Sequence, residues 1–192
     1  MAVRVFFFTA FASLLFSCQT PIQKQKDIFS LSLISVDGKT IDISEIKKNR
    51  ASAFVFLSPD CPLSQKYSLP LKKSITGFAD KRIGFYLVFP GTMYSAQEIR
   101  NFITDYALPV VSIADHDKKL MNILGASVTP EVFLVNSSGE IVYRGAIDNW
   151  FVEVGKQKEI ITEHYLSEAI ESVLANKPVK VSRSKAVGCI IE

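Results

Sequence analysis

The side chains best suited to covalent chemistry are three cysteines, Cys18, Cys61 and Cys189. Cys61 stands in SPDCPLSQKY (58–67), directly after the apolar run ASAFVFL (51–57). A run so continuously apolar fits a strand buried on both faces of a sheet. Beyond the cysteine, Leu63, Tyr67, Leu71, Ile75 and Phe78 recur at spacings of three or four, the stripe of an amphipathic helix. Cys61 is thus expected where a buried strand gives way to a helix N-terminus. Backbone N–H groups and the helix dipole there lower a thiol's pKa and favour the nucleophilic thiolate. Asp60 beside it acts the other way, by like-charge repulsion. A structural cysteine in a turn is the alternative. Ser64 stands where a redox motif often carries its second cysteine, and a hydroxyl cannot resolve a mixed disulfide. It could hydrogen-bond the Cys61 thiolate or simply face out from the helix.

The first eighteen residues, MAVRVFFFTAFASLLFSC, carry one charge, Arg4, before an apolar or small stretch from Val5 to Phe16. That stretch suits the apolar core of a secretion signal and is too short for a permanent membrane span. Leu15-Phe16-Ser17-Cys18 resembles a bacterial lipobox, which implies cleavage after residue 17 and a lipid on Cys18. An ordinary signal peptide or an uncleaved anchor is the alternative. Gln19 in place of aspartate fits outer-membrane sorting by the same analogy. Residues 18–27 then read as a polar tether. With Cys18 lipidated, Cys61 and Cys189 are left as a pair in an oxidising compartment.

The elements that must position these residues follow from periodicity and turn chemistry. FSLSLISVDGKTIDI (29–43) alternates around Asp37-Gly38, a hairpin signal. RIGFYLVF (82–89) is a second buried strand and PVVSIAD (109–115) a third, shorter one. SAQEIRNFITDY is a helix with Ser95 as N-cap and Glu98 three residues on. DKKLMNILG is a helix stopped at Gly125. EVFLVNSSGEIVYRG (131–145) is a second hairpin, and HYLSEAIESVLANK (164–177) a final helix. Pro70 should kink or restart the helix after Cys61. The order of elements predicts an α/β domain over 28–177, with a central mixed sheet and helices on both faces. It is the order of a thioredoxin-like fold with an added N-terminal β-hairpin. Residues 178–192 form a tail carrying Cys189.

FVFLSPDCPLS resembles the active-site stretch of bacterial thioredoxin-like proteins of the redoxin (alkyl hydroperoxide reductase/thiol-specific antioxidant) type. LGASVTPEVFLVNSSGEIVYRGAID resembles their later half, and the likeness runs from about Phe29 to Ala175. It implies that Cys61 is the nucleophile, supported by Ser58, Pro62 and Ser64. It also implies that Thr129-Pro130 is the threonine–cis-proline pair facing it. The sequence departs from thioredoxins at Ser64, so the second thiol must come from elsewhere. Cys189, in AVGCII, is the candidate, and similar bacterial proteins also end in a glycine–cysteine motif. Pairing over the 128 residues that separate the two needs Cα atoms within about 7 Å. Otherwise Cys189 packs as an apolar residue or lies free.

The resulting expectation is a lipid-anchored thiol–disulfide oxidoreductase of the bacterial cell envelope, at the outer membrane and facing the periplasm. Its partners would be protein or small-molecule thiols and disulfides, with no cofactor and no metal. Two alternatives stay open. A peroxiredoxin-like thiol peroxidase suits Ser58 and Pro62. Phe54, however, stands where such enzymes carry a proline, and Arg144 lies one strand beyond the place of their activating arginine. A non-catalytic binding module would use a Cys61–Cys189 bond as structure, with both sulfurs buried, whereas an enzyme needs Cys61 reachable beside Pro130. Position 65 is Gln65, not the second cysteine of a copper site, and His116 and His164 lack ligand spacing. Asp115, Asp117 and Asp148 read as loop and cap residues, and Tyr67 and Trp150 as packing residues or lining of the site. A net charge of +3 without a basic run interleaved with aromatics argues against nucleic acid.

Overall fold

A computed structural model describes residues 28–192; the expected signal segment, the expected tether and Cys18 lie outside them. A short 3-10 turn (Ile28–Ser30) leads into β1 (Leu33–Ile34) and β2 (Thr40–Ile41), the hairpin expected around Asp37-Gly38. Gly38 has φ +76°, a conformation that glycine adopts without steric cost. There follow α1 (Ser44–Lys48), β3 (Ala51–Phe56), α2 (Pro62–Gly77), β4 (Ile83–Pro90), α3 (Ala96–Asp105), β5 (Val111–Asp115) and α4 (Lys119–Leu124). The second half contains β6 (Val128–Thr129), β7 (Glu131–Asn136), β8 (Ile141–Gly145), β9 (Phe151–Glu153), β10 (Lys156–Gln157), α5 (Tyr165–Leu174) and β11 (Cys189–Ile190).

The main sheet has the order β5-β4-β3-β7-β8. β3 runs parallel to β4, and β4 to β5, while β7 is antiparallel to both β3 and β8. This is an α/β thioredoxin-like fold with a mixed central sheet. Every residue of β3 is buried, as a central strand covered on both faces requires. Alternate residues feed two cores. Ala53, Val55, Leu87 and Leu134 pack with Leu71 of α2, Phe102 of α3 and Ile170 of α5. Phe54, Phe56, Val88 and Phe133 pack with Ile46 of α1 and Leu120 of α4 on the other face. The N-terminal hairpin attaches at the β5 edge through a Ser35–Ile113 bridge and the Val36 N–H to Ser112 carbonyl bond of 2.9 Å.

Two local expectations change. α2 runs unbroken through Pro70, so the apolar stripe of Leu63, Tyr67, Leu71 and Ile75 outweighs the lost backbone donor and no second helix starts there. A further hairpin, β9–β10, follows Trp150; its strands of three and two residues are too short to carry a period. Ser95 and Glu98 do form the reciprocal capping box at the start of α3.

Candidate active site around Cys61 and Cys189

β3 ends where the Leu57 N–H donates to the Val88 carbonyl, and Ser58-Pro59-Asp60 then turns the chain. Cys61 is the N-cap of α2 and Pro62 its first helical residue. Proline suits that place because its missing N–H is one the helix leaves unpaired anyway. The Ser64 side chain is fully buried and accepts the Ser58 N–H at 3.2 Å. Its visible task is to tie the turn to the helix.

From the other side comes the loop before β7. The Thr129–Pro130 peptide bond is cis, both residues are buried, and the Thr129 carbonyl oxygen lies 3.0 Å from Cys61 Sγ. The tail completes the site. β11 pairs antiparallel with β6, Cys189 opposite Thr129 and Ile190 opposite Val128. Cys189 forms a disulfide with Cys61 at a Cα–Cα separation of 6.1 Å, across 128 residues of sequence. Gly188 is what lets the tail lie so close, because a Cβ there would stand 2.1 Å from the Thr129 carbonyl oxygen. Upstream, the tail is held by the Arg144 N–H to the Ser182 carbonyl and the Ser184 N–H to the Arg144 carbonyl, 3.0 Å each. The Ser184 hydroxyl also meets the buried Tyr143 hydroxyl at 2.7 Å and accepts the Ala146 N–H at 2.9 Å.

The two sulfur-bearing residues differ in exposure. Cys61 is 1% exposed, whereas Cys189 is half-buried. In this bonded state Cys61 is not open beside Pro130, and Cys189 is the less enclosed residue of the pair. A cleft of about 560 Å³ lies beside Thr129, walled by Leu57, Ser58, Tyr94, Lys118 and the tail residues Ile190 and Glu192. The Lys118 ammonium donates to the Glu192 carbonyl.

Ser58 is half-buried, donating to Asp60 Oδ1 at 2.7 Å and lying 3.0 Å from the Tyr94 hydroxyl. Hydrogen bonds from Tyr94 and then Ser58 hold the Asp60 carboxyl below its ordinary range. Arg144 is turned elsewhere, with its guanidinium 3.9 Å from the buried Glu131 and 5.4 Å over the Phe133 ring. Phe54 lies in the core, stacked on Tyr86. Asp115 caps α4 by accepting the Leu120 and Met121 N–H groups at 3.1 and 2.8 Å.

Asp148, read from sequence as a loop residue, is buried and accepts the Tyr67 hydroxyl at 2.7 Å and the Trp150 N–H at 2.9 Å. Burial first, and then this carboxylate, push the Tyr67 pKa far up. Tyr67 packs edge-on to Trp150. Among the described residues no group of three His, Cys, Asp or Glu side chains could hold a metal ion. No helix among them is long and apolar enough to cross a membrane.

A helix-capping cysteine, a cis-proline facing it and a mixed sheet behind them define a thioredoxin-like thiol protein. The Redoxin family model matches residues 22–151, and the chain belongs to that family. No curated protein matches. Among solved structures, a hypothetical protein of Sinorhizobium meliloti 1021 is 22% identical with a TM-score of 0.74, over 84% of this chain and 89% of that one. An uncharacterised conserved protein of Geobacillus kaustophilus is 19% identical with a TM-score of 0.73, over 84% and 87%. A secreted Mycobacterium tuberculosis disulfide oxidoreductase, homologous to Escherichia coli DsbE, is 13% identical with a TM-score of 0.52, over 59% and 81%.

Proposed function

We propose that this protein is a thiol–disulfide oxidoreductase of the bacterial envelope, anchored through a lipid on Cys18, with Cys61 and Cys189 as its redox pair. The observation that carries the reading is the disulfide joining the N-cap of α2 to the tail, beside a cis-proline and with Cys189 only half-buried. The bond stores two oxidising equivalents, which a dithiol partner would take up by exchange through a mixed disulfide. The missing second cysteine of the motif is then supplied by residues 178–192, a tail docked on the domain of residues 28–177. Similarity to a secreted disulfide oxidoreductase and the lipobox-like LFSC together support the location.

Thiol–disulfide exchange is favoured over peroxide reduction on two observations. Arg144 is engaged by Glu131 and Phe133, and Phe54 fills the core at the place where a peroxidase motif has its proline. A purely structural bond is the other reading, and turnover separates the two. The oxidised protein should oxidise a dithiol peptide, and Cys61→Ser and Cys189→Ser should each abolish that activity while remaining folded. A disulfide that persists in the native protein against millimolar dithiothreitol would make the bond structural.

A further inference from the structure

We infer that Cys189, not Cys61, is the sulfur through which partners enter and leave, and that Cys61 is the internal leaving group. The assignment rests on the redox pair proposed above and fixes the order of events at it. A disulfide opens by in-line attack of a thiolate on one sulfur while the other departs. Attack on Cys61 would need an approach through its own surroundings, and these are closed. The residue is 1% exposed and belongs to the core cluster with Leu57, Leu63 and Tyr67, and the Thr129 carbonyl oxygen stands 3.0 Å from its sulfur. Cys189 packs only at the edge of that cluster, half-buried, and is flanked by Gly188, which has no side chain, and by Ile190, 80% exposed.

Leaving-group chemistry points the same way. Cys61 caps the sixteen-residue α2, whose N-terminal dipole stabilises a departing thiolate, and a lower thiol pKa leaves faster. Cys189 sits in a two-residue strand with no helix behind it. The Thr129 carbonyl and the neighbouring Asp60 carboxylate oppose a Cys61 thiolate, but neither opens a path to that sulfur, so access decides.

The steps balance. A substrate thiolate bonds to Cys189 Sγ, the Cys189–Cys61 bond breaks, and the electron pair departs on Cys61, which takes a proton from water. The substrate's second thiolate then attacks its own sulfur in the mixed disulfide and releases Cys189 as a thiolate. The dithiol is oxidised by two electrons and the protein disulfide is reduced. In the reverse direction Cys189 attacks the substrate disulfide and Cys61 resolves the mixed disulfide.

The test is to mix oxidised full-length protein with substoichiometric glutathione, quench with acid at graded times, alkylate, and locate the glutathione adduct by peptide mass. Adduct on the Cys189 peptide should exceed that on the Cys61 peptide by about tenfold or more, with alkylated Cys61 appearing in step. Adduct on Cys61, or shared evenly between the two, overturns the assignment. So does a Cys61–Cys189 bond that glutathione leaves intact, because Cys189 would then be as closed as Cys61. Absence of any Cys61–Cys189 linkage in the starting protein would instead remove the redox pair itself, and this order of attack with it.

Discussion

At the scale of single residues, the site depends on a few atoms that leave no room for alternatives. Gly188 is the clearest, since any Cβ there runs into the Thr129 carbonyl. Overpacking of this kind costs about 1–3 kcal/mol, and here it falls on the docked, oxidised state. Gly188→Ala should therefore shift the dithiol–disulfide equilibrium toward the dithiol by roughly tenfold or more in glutathione buffers, read by alkylation and mass. An unchanged equilibrium would mean that the tail does not seat on Thr129. Asp60 offers a second check. Its pKa is lowered chiefly by the Tyr94 hydrogen bond, so Tyr94→Phe should move the carboxyl titration upward, measured by NMR on the Asp60 side chain. A depressed folded-state pKa contributes stability above the unfolded value, and that contribution is lost as pH falls through the folded value. The variant should lose it at higher pH than the wild type. Cys61, Pro130 and Cys189 were all legible in the sequence, because cysteine and the Thr-Pro pair are rare and chemically distinctive. The Asp148–Tyr67 contact was not, since a buried acid and its donor 81 residues away share no local pattern.

At the scale of elements, the tail behaves as part of the domain and not as an appendage. It contributes β11 against β6, a parallel bridge from Arg183 to Arg144, and the Ser184 hydroxyl beneath Gly145. Ser184→Ala would remove the partner of the Ala146 N–H and one partner of the buried Tyr143 hydroxyl. Stranding such groups costs about 1–3 kcal/mol, and urea unfolding should show a loss in that range. A loss below a few tenths would mean that this contact is solvated and the tail loosely held. Strands β3, β4 and β7 and helices α2, α3 and α5 follow from apolar periodicity, because long elements repeat their pattern several times. β6 and β11 have two residues each, and nothing in AVGCII states that it will pair with SVTP. What the sequence did carry was a reason to dock, namely apolar residues around a cysteine in a polar tail.

At the scale of the whole molecule, the disulfide closes most of the domain into a loop. Removing a crosslink over 128 residues should cost roughly 5 kcal/mol by the chain-entropy argument. Oxidised and reduced protein compared by urea unfolding should differ by an amount of that order, and a difference under about 1 kcal/mol would contradict a bond that closes this loop in the folded protein without offsetting cost. The mixed sheet and its two cores place the β3–α2 junction and the Thr129–Pro130 loop side by side, and the tail brings the second sulfur to them. The central claim, that Cys61 and Cys189 form a reversible redox pair, is tested most directly by peptide mass mapping of the native protein across a graded series of glutathione redox buffers. The account predicts one linked peptide pair, Cys61 with Cys189, that appears and disappears reversibly with the buffer. Finding the two cysteines unlinked under every oxidising condition would contradict it.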